Sequence, residues 1–353
     1  MIKDCIRKLV ERKSLRYDEA REAMKEIMSG AATASQIAAF VTALRMKGET
    51  TDETAALSTT MKEFGHRIRP RVQGRLVDTC GTGGDRIKTF NISTTAAFAV
   101  AGAGIAVAKH GNRSFTSKSG SADVLERLGV NLHVEAAVVE RCIEEAGIGF
   151  MFAPAFHPAM KYAVEPRRDI GVRTVFNVLG PLANPADADS QLIGVYSEAL
   201  VASLAPVLQR LGCEEAMVVH GLDGLDEVST IGGTVLAWLR DDEIHTLQTT
   251  PQDLGVRRAR PEDILGGTPA ENAEVSFQIL RGKDDGQRAK RDIVLVNAAA
   301  GIIVGGKADD FEEGLELARD SIDSGKAYDK LKILVKTGNG DLSRLERLES
   351  KYD

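Results

Sequence analysis

The stretch Asp78-Thr79-Cys80-Gly81-Thr82-Gly83-Gly84-Asp85 decides the fold of this chain. It follows the apolar pair Leu76-Val77, which is typical of a buried strand, and it is followed by Asn91-Ile92-Ser93-Thr94 and an alanine-rich helical pattern at residues 93–103. A strand that feeds a glycine-rich turn and then a helix directs backbone N–H groups and the positive end of the helix dipole at an anion. The sequence therefore predicts a phosphate site. The carboxylate of Asp85 further predicts a metal ion or a sugar hydroxyl between itself and the phosphate.

Strands alternate with helices from residue 75 onward. The candidate strands lie at residues 76–79, 105–108, 130–134, 148–152, 192–196 and 216–220. This alternation predicts right-handed βαβ units and an α/β fold with a mainly parallel central sheet. Two further candidate strands, at residues 235–239 and 244–248, predict a hairpin around Asp241-Asp242.

The first seventy residues show helical patterns only. Apolar residues recur at helical spacing in this part, Gly48 is placed to end a helix, and Thr50 with Glu53 has the spacing of a capping box. We therefore expect a small all-helical domain at residues 1–72 and a larger α/β domain at residues 73–353.

Composition narrows the class of protein. The chain has 353 residues, of which 43% are hydrophobic and 27% charged, and its formal net charge is −6. These values are typical of a globular protein and argue against a nucleic-acid binder, which usually has a basic surplus. The four cysteines are far apart, no secretory signal is recognised, and no apolar run reaches the roughly 20 residues of a membrane span. We expect a cytoplasmic protein that binds neither membranes nor nucleic acid.

Two further polar loops follow predicted strands. One runs from Lys109-His110-Gly111-Asn112-Arg113 to Ser119-Gly120-Ser121-Ala122-Asp123, and the other ends in Asp226-Glu227. The carboxyl ends of parallel strands share one edge of a sheet, where ligands bind, so we expect these loops to meet the glycine-rich turn there. Lys109 and Arg113 offer positive charge to phosphate. Asp226-Glu227 suits Mg²⁺ or, alternatively, forms an acidic turn that faces solvent.

These motifs, in this order, resemble those of the anthranilate phosphoribosyltransferase family, as do 177–185 (Asn-Val-Leu-Gly-Pro-Leu-Ala-Asn-Pro), 27–30 and 47–50. The resemblance covers nearly the whole chain. It implies transfer of the phosphoribosyl group of 5-phosphoribosyl 1-pyrophosphate (PRPP) to the amine of anthranilate, giving N-(5-phosphoribosyl)anthranilate and pyrophosphate, in tryptophan biosynthesis. It also implies that a returning segment, at about 166–190, joins the helical domain, and that two copies form a homodimer through that domain.

The resemblance also implies the site residues. The PRPP contacts would be Gly81, Gly84, Asp85, Thr89, Asn91, Ile92, Ser93, Thr94, Lys109, His110, Gly111, Asn112, Arg113, Ser114, Phe115, Thr116, Ser117 and Ser121. The anthranilate contacts would be Gly81, Asn112 and Arg167, with Arg168 as the alternative to Arg167. The Mg²⁺ ligands would be Ser93, Asp226 and Glu227.

The chemistry agrees with this inventory. Pyrophosphate bound to Mg²⁺ is a good leaving group, so catalysis should depend on positioning and on stabilising the departing charge, without a dedicated acid or base. Two rivals remain at this point. One is a pyrimidine nucleoside phosphorylase, against which Asp226-Glu227 and the full Lys109–Arg113 motif argue. The other is a non-catalytic relative that binds nucleic acid, which should lack the acidic pair and carry a basic surface.

Overall fold

The computed structural model describes residues 1–85, 87–114, 119–283 and 286–353. Over these residues the chain forms a seven-stranded sheet of order β3-β2-β1-β4-β5-β6-β7. Strands β1 to β5 run parallel, whereas β6 is antiparallel to β5, and β7 to β6. The predicted α/β class with a mainly parallel sheet is confirmed. The strands are β1 (Leu76–Gly81), β2 (Ala106–Gly111), β3 (Ile148–Phe152), β4 (Ser190–Gly194), β5 (Glu215–Gly221), β6 (Thr234–Arg240) and β7 (Glu243–Thr249).

Helices precede the sheet, connect its parallel strands and follow its hairpin. In the part of the chain that the structure describes they are α1 (Ile2–Val10), α2 (Tyr17–Met28), α3 (Ala34–Lys47), α4 (Thr51–Glu63), α5 (Ile92–Gly102), α6 (Ser121–Arg127), α7 (Ala136–Ala146), α8 (Ala153–Phe156), α9 (Lys161–Ile170), α10 (Phe176–Leu182), α11 (Glu198–Arg210), α12 (Pro269–Leu280), α13 (Arg288–Val304), α14 (Phe311–Asp323), α15 (Lys326–Thr337) and α16 (Ser343–Tyr352), with short 3-10 turns at Pro158–Met160 and Pro261–Ile264.

The sheet is covered on both faces. Successive side chains of a strand point to opposite faces, so the two neighbours Leu192 and Ile193 of β4 belong to different apolar clusters. The cluster around Leu192 contains α5 and the buried residues of α13, whereas the cluster around Ile193 contains α11 and the N-terminal helices. Strands buried on both faces explain the near-continuous apolar runs in the sequence.

The N-terminal helices are completed by a later part of the chain. Helix α1 contacts α3, and α2 contacts α4. Helix α9 packs on α2 and α3, and α10 packs on α4. The hydroxyl of Ser58 on α4 donates a buried hydrogen bond of 2.7 Å to the carbonyl of Leu182 at the end of α10. Segment 161–182 therefore joins the N-terminal helices in one packed unit.

The predicted helix ends in this unit are confirmed. Thr50 Oγ1 accepts from the Glu53 backbone N–H at 3.2 Å, and Glu53 accepts from the Thr50 N–H at 2.8 Å, which is a capping box. Gly48 ends α3 with a φ of 91°. Glu53 is fully buried and also accepts from Lys47 Nζ at 2.6 Å and from the Leu15 N–H at 2.8 Å. The Glu53 carboxylate therefore links the end of α3, the start of α4 and the segment between α1 and α2.

The strand predicted at residues 130–134 is wrong. This segment is irregular and connects α6 to α7. Val130 and Leu132 are buried, so the alternating apolar pattern reflects burial alone. Asn131 Oδ1 accepts from the His133 N–H at 3.0 Å, and this local turn competes with the extended pairing that a strand needs.

The hairpin predicted around Asp241-Asp242 is confirmed. Both residues have positive φ, 53° and 61°, as a two-residue turn between antiparallel strands requires. Within the described ranges, no helix has the length and apolar character needed to cross a membrane.

Candidate active site

The polar loops predicted to meet do so at the carboxyl ends of β1, β2, β4 and β5. In the register of the sheet Gly81 of β1 pairs with Gly194 of β4, so these two strands end at the same level. The loop after β5 then passes over both ends, because a Cβ on Gly81 would lie 2.7 Å from Asp226 Oδ2 and one on Gly194 would overlap the Asp226 carbonyl. Glycine at both positions is what lets Asp226 reach the glycine-rich turn.

Asp226 and Glu227 each accept from a backbone N–H of a different predicted phosphate-binding segment. Asp226 Oδ2 accepts from the Gly83 N–H at 2.8 Å. Glu227 Oε1 accepts from the Ser93 N–H, in the first turn of α5, at 3.2 Å. The acidic pair therefore lies between the glycine-rich turn and the N-terminus of α5, and it does not form a turn that faces solvent.

The electrostatics of this pair favour a cation. Burial, together with the nearby Asp85, raises the pKa of Asp226 to about 7, and burial with the neighbouring Asp226 raises the pKa of Glu227 well above its usual range. Burial also lowers the pKa of the nearby Lys109 ammonium. Two carboxylates that neighbouring cations compensate only in part fit a divalent ion, since such an ion would restore their charged forms.

The protein would supply only part of the ion's coordination shell. Among the described residues, no group of three or more His, Cys, Asp or Glu side chains is placed to hold a metal. Mg²⁺ commonly binds through one or two carboxylates and completes its shell with substrate phosphate oxygens and water. The Ser93 hydroxyl, 3.4 Å from Lys109 Nζ, is the third predicted ligand.

Lys109 is buried beneath the acidic pair. The residue is only 2% exposed, and its ammonium donates to the carbonyl of Thr79 on β1. It lowers the pKa of both Asp78 and Glu227, although burial outweighs it in each case. Lys109 therefore adds positive charge at the sheet edge from inside the protein, whereas the sequence alone suggested a loop cation.

Other predicted residues shape the glycine-rich turn and the start of α5. Asp85 Oδ2 accepts from the Thr89 N–H at 3.1 Å, which closes the loop after the glycines. Asn91 Nδ2 donates to the Ser119 carbonyl at 3.2 Å and joins this loop to the one after β2. The side chains of Ile92 and Thr94 are buried, so their contact with PRPP through a side chain stays a prediction.

The loop after β2 is held together by Asp123. Its Oδ2 accepts from the Ser114 N–H at 3.2 Å and the Gly120 N–H at 2.9 Å. Arg113 forms ion pairs with Asp123 at 2.9 Å and Glu126 at 3.0 Å, so its guanidinium supports the loop from within. Its contact with a phosphate stays a prediction. The predicted contacts Phe115, Thr116 and Ser117 lie outside the described residues.

Sequence reasoning missed the network that fixes His110. Asp78 is fully buried and accepts from the His110 N–H at 3.3 Å and from Asn184 Nδ2 at 2.8 Å. Asn184 Nδ2 also donates to the Ala108 carbonyl at 2.8 Å, and His110 Nδ1 lies 3.1 Å from the Gly180 carbonyl. The returning segment is thus bonded to the ends of β1 and β2. The Asn-Pro pair at 184–185 was a visible signal, but its partner Asp78 is 106 residues away.

A second missed residue supports the acidic pair from below. Asn297 in the middle of α13 is buried, accepts from the Val228 N–H at 2.9 Å and donates to the Val228 carbonyl at 2.9 Å. Val228 directly follows Glu227, so these two bonds fix the position of the acidic loop relative to α13. A single asparagine in an apolar helical run was the only signal in the sequence.

Arg167 and Arg168 differ in a way that bears on the anthranilate site. Arg168 is exposed and lies near Glu165 and Asp169, at 3.8 and 3.6 Å. Arg167 is half-buried, its guanidinium lies 5.3 Å from the ring centre of Phe176, and burial lowers its pKa. Among the described residues no carboxylate pairs with it. A desolvated guanidinium of this kind fits a carboxylate that a ligand brings.

Comparison with known proteins gives one consistent result. Residues 73–328 match the model of the glycosyl transferase family a/b domain, and residues 3–65 match that family's helical bundle domain. An anthranilate phosphoribosyltransferase of Desulfosudis oleivorans is 50% identical over 335 residues, which cover 95% of this chain and 98% of that protein. The crystal structure of anthranilate phosphoribosyltransferase from Thermus thermophilus superposes with a TM-score of 0.90 at 40% identity and covers 95% of this chain and 99% of that chain. The Saccharomyces cerevisiae enzyme, in complex with PRPP and Mg, has a TM-score of 0.86 at 27% identity over 96% and 98% of the two chains.

The buried histidine behind the site gives a prediction for stability. His157 lies with its ring centre 5.0 Å from that of His110, and burial lowers its pKa from 6.5 to about 4. As the pH falls, the His157 imidazole is therefore protonated in the unfolded chain before it is protonated in the folded chain. The contribution of neutral His157 to the free energy of unfolding is complete above about pH 6.5 and is lost as the pH falls towards about 4. Replacing His157 by Gln should reduce the loss of unfolding free energy between pH 7 and about pH 5 by roughly 1–2 kcal/mol.

The measurement is urea unfolding of both proteins at the two pH values. His245 is exposed on β7, so His245→Gln is the control and should follow the parent protein. The same loss on acidification in His157→Gln as in the parent would show that His157 does not titrate in this way.

Proposed function

This chain belongs to the anthranilate phosphoribosyltransferase family, and we propose that the polar edge of its sheet is where the family's reaction takes place. The enzyme transfers the phosphoribosyl group of PRPP to the amine of anthranilate, giving N-(5-phosphoribosyl)anthranilate and pyrophosphate, in tryptophan biosynthesis, and it uses Mg²⁺. The matches over nearly the full chain set aside the nucleoside phosphorylase and the non-catalytic relative.

One observation supports this assignment most strongly. Asp226 is buried and Glu227 half-buried, both carboxyl groups have raised pKa values, and they accept hydrogen bonds from the N–H groups of Gly83 and Ser93. The proposed metal ligands therefore lie against the two segments that we propose bind the diphosphate, which suits a substrate whose diphosphate is bridged by a metal. Asp226, Glu227 and Ser93 would hold the ion, which when bound would stabilise the negative charge on the departing pyrophosphate.

The protein's own part in the reaction is to bind and orient. We assign the diphosphate and ribose to the glycine-rich turn, to the first turn of α5 and to the loop after β2, with the residues that the sequence predicted. The bond from the ribose anomeric carbon to pyrophosphate breaks, a bond to the anthranilate nitrogen forms, and the amine loses a proton to water or to the released pyrophosphate. His110, whose pKa burial lowers to about 3, stays neutral throughout, so the cleft holds no imidazolium there.

Arg167 supports the placement of anthranilate. Its guanidinium is half-buried, stacked near Phe176 and without a carboxylate partner among the described residues. The anthranilate carboxylate would provide that partner, with Asn112 and Gly81 on the side of the sheet. Arg168, exposed and paired within its own helix, is the weaker candidate.

We also propose the domain arrangement and assembly that the sequence predicted. Residues 1–72 with the returning segment at about 166–190 form a helical domain, and the rest of 73–353 forms the α/β domain, in a cytoplasmic homodimer. The packing of α9 and α10 on α2, α3 and α4 supports the proposal that the returning segment belongs to the helical domain. Exposed apolar side chains on α1, α3 and α9, among them Val10, Met46 and Val164, support an interface on the helical domain.

The metal role is tested by Asp226→Asn with Glu227→Gln. The double variant should lose roughly 100-fold in turnover, because the ion that stabilises the departing charge is no longer held. Its unfolding free energy should stay level or rise, because amides are easier to bury than carboxylates. The assay follows the fall of anthranilate fluorescence with PRPP, with and without Mg²⁺. Asp241→Asn in the distant β6–β7 turn is the control, and near-normal turnover of the double variant would refute the assignment.

The anthranilate site is tested by comparing Arg167→Ala with Arg168→Ala. A hydrogen bond from a charged group to a charged partner contributes about 1.5–3 kcal/mol, so Arg167→Ala should raise the KM for anthranilate by about 10- to 100-fold. The KM for PRPP should barely change, and Arg168→Ala should resemble the parent. A rise confined to the KM for PRPP, or a larger effect in Arg168→Ala, would contradict the assignment.

The dimer is tested by adding charge to the proposed interface. The measurement is light scattering coupled to size-exclusion chromatography, in which we expect the parent to have twice the mass of one chain. The double variant Val10→Glu with Met46→Glu should have the mass of one chain, because a charge is costly to bury in an apolar contact. Leu247→Glu, an exposed position on β7, should keep the mass of the parent. A parent of single-chain mass would refute the dimer.

A further inference from the structure

Arg173 reaches from the returning segment to the glycine-rich turn. It lies between α9 and α10, and its Nη2 donates to the Gly84 carbonyl at 3.2 Å. Its guanidinium carbon lies 4.0 Å from the ring centre of Tyr196, which is the closest cation–π contact among the described residues. The guanidinium is thus held at its N–H edge by the Gly84 carbonyl and at its planar face by the Tyr196 ring, which defines its position although the residue is exposed.

Arg173 and Asp226 hold the turn from two sides. Asp226 accepts from the Gly83 N–H, and Arg173 donates to the carbonyl of the next residue, Gly84. Both glycines have positive φ, 69° and 91°, a backbone form that glycine adopts readily and few other residues do. The backbone of Tyr196 is bonded to the same turn, because its N–H donates to Thr82 Oγ1 at 3.1 Å.

The charge of Arg173 is directed at the site. Among the described residues no carboxylate forms an ion pair with it, yet it is close enough to Asp226 to lower the pKa of that carboxyl. A guanidinium has five N–H donors, and the Gly84 carbonyl takes one of them. Among the described residues no other acceptor takes a hydrogen bond from Arg173, so its remaining donors are available to a ligand.

We propose that Arg173 is a positioning residue for PRPP. It holds the Gly83–Asp85 turn in place at the proposed diphosphate site, and Tyr196 holds Arg173. The inference rests on the proposed function of this sheet edge and adds to it a cation from the helical part. The same segment also carries Arg167, so one part of the chain would contact both PRPP, the phosphoribosyl donor, and anthranilate, the acceptor.

The test is Arg173→Gln. Loss of a charged hydrogen bond to the turn should raise the KM for PRPP roughly tenfold and leave the KM for anthranilate and kcat within about twofold of the parent. Arg173→Lys, which keeps a cation and a donor, should recover most of the affinity for PRPP. A residue with only a structural role would not separate the two KM values in this way.

Tyr196 and a matched arginine sharpen the test. Tyr196→Leu removes the ring and should raise the KM for PRPP like Arg173→Gln, whereas Tyr196→Phe should not, and the two losses should not add in the double variant. Arg210 is also an exposed arginine, with its guanidinium carbon 5.6 Å from the ring centre of Tyr17, so Arg210→Gln is the control.

Each outcome decides the matter. The role of Arg173 is overturned by an unchanged KM for PRPP in Arg173→Gln, by an equal rise in both KM values, by no recovery with Lys, or by additive losses with Tyr196→Leu. If any of these occurs while Asp226→Asn with Glu227→Gln still loses turnover, the proposed site stands without Arg173. If Asp226→Asn with Glu227→Gln has normal turnover, the assignment of the site itself fails.

Discussion

The structure depends on placing two adjacent carboxylates, one buried and one half-buried, at the end of a parallel sheet. Isolated charges are costly to bury, and here the cost is offset only in part by the Gly83 and Ser93 N–H groups and by Lys109. Glycines 81 and 194 make the arrangement possible, because any side chain at either position would meet Asp226. Much of the local architecture serves to hold these two carboxylates, whose charge the neighbouring groups compensate only in part.

The support for this site comes from parts of the chain that are far apart in sequence. Asn297 fixes the loop behind Glu227 from a buried helix, and the Asp78–Asn184 pair fixes the strand ends from the returning segment. Each supporting side chain is buried and hydrogen-bonded, either to backbone groups or to the other member of its pair, which restricts its motion. A site built in this way is preorganised, so little rearrangement is needed when substrate binds.

The fold class was predictable because its signals are local. Alternating strands and helices, the Thr50–Glu53 capping box and the Asp241-Asp242 turn each lie within a few residues of sequence. The failure at residues 130–134 has the same origin, since a local apolar alternation cannot show whether a neighbouring strand is available for pairing. The acidic pair and the glycine-rich turn were likewise recognisable as motifs.

The contacts between motifs could not be predicted in the same way. Nothing near Arg113 in sequence shows that its guanidinium pairs with Glu126 in the next helix, and nothing near Arg173 shows that it stacks on Tyr196. The choice between Arg167 and Arg168 depends on which side of α9 is buried, which only the packing against Phe176 makes visible. Such pairings arise from tertiary packing, so they need the structure.

The return of the chain to its N-terminal helices has a consequence for synthesis on the ribosome. Helices α2, α3 and α4 present apolar faces that α9 and α10 cover, and α10 ends at Leu182. These faces stay open while β1, β2 and β3 are already being made. Helices α2, α3 and α4 are thus made well before the segment that completes their packing. The nascent chain must therefore keep an apolar helical surface from aggregating for more than a hundred residues of growth.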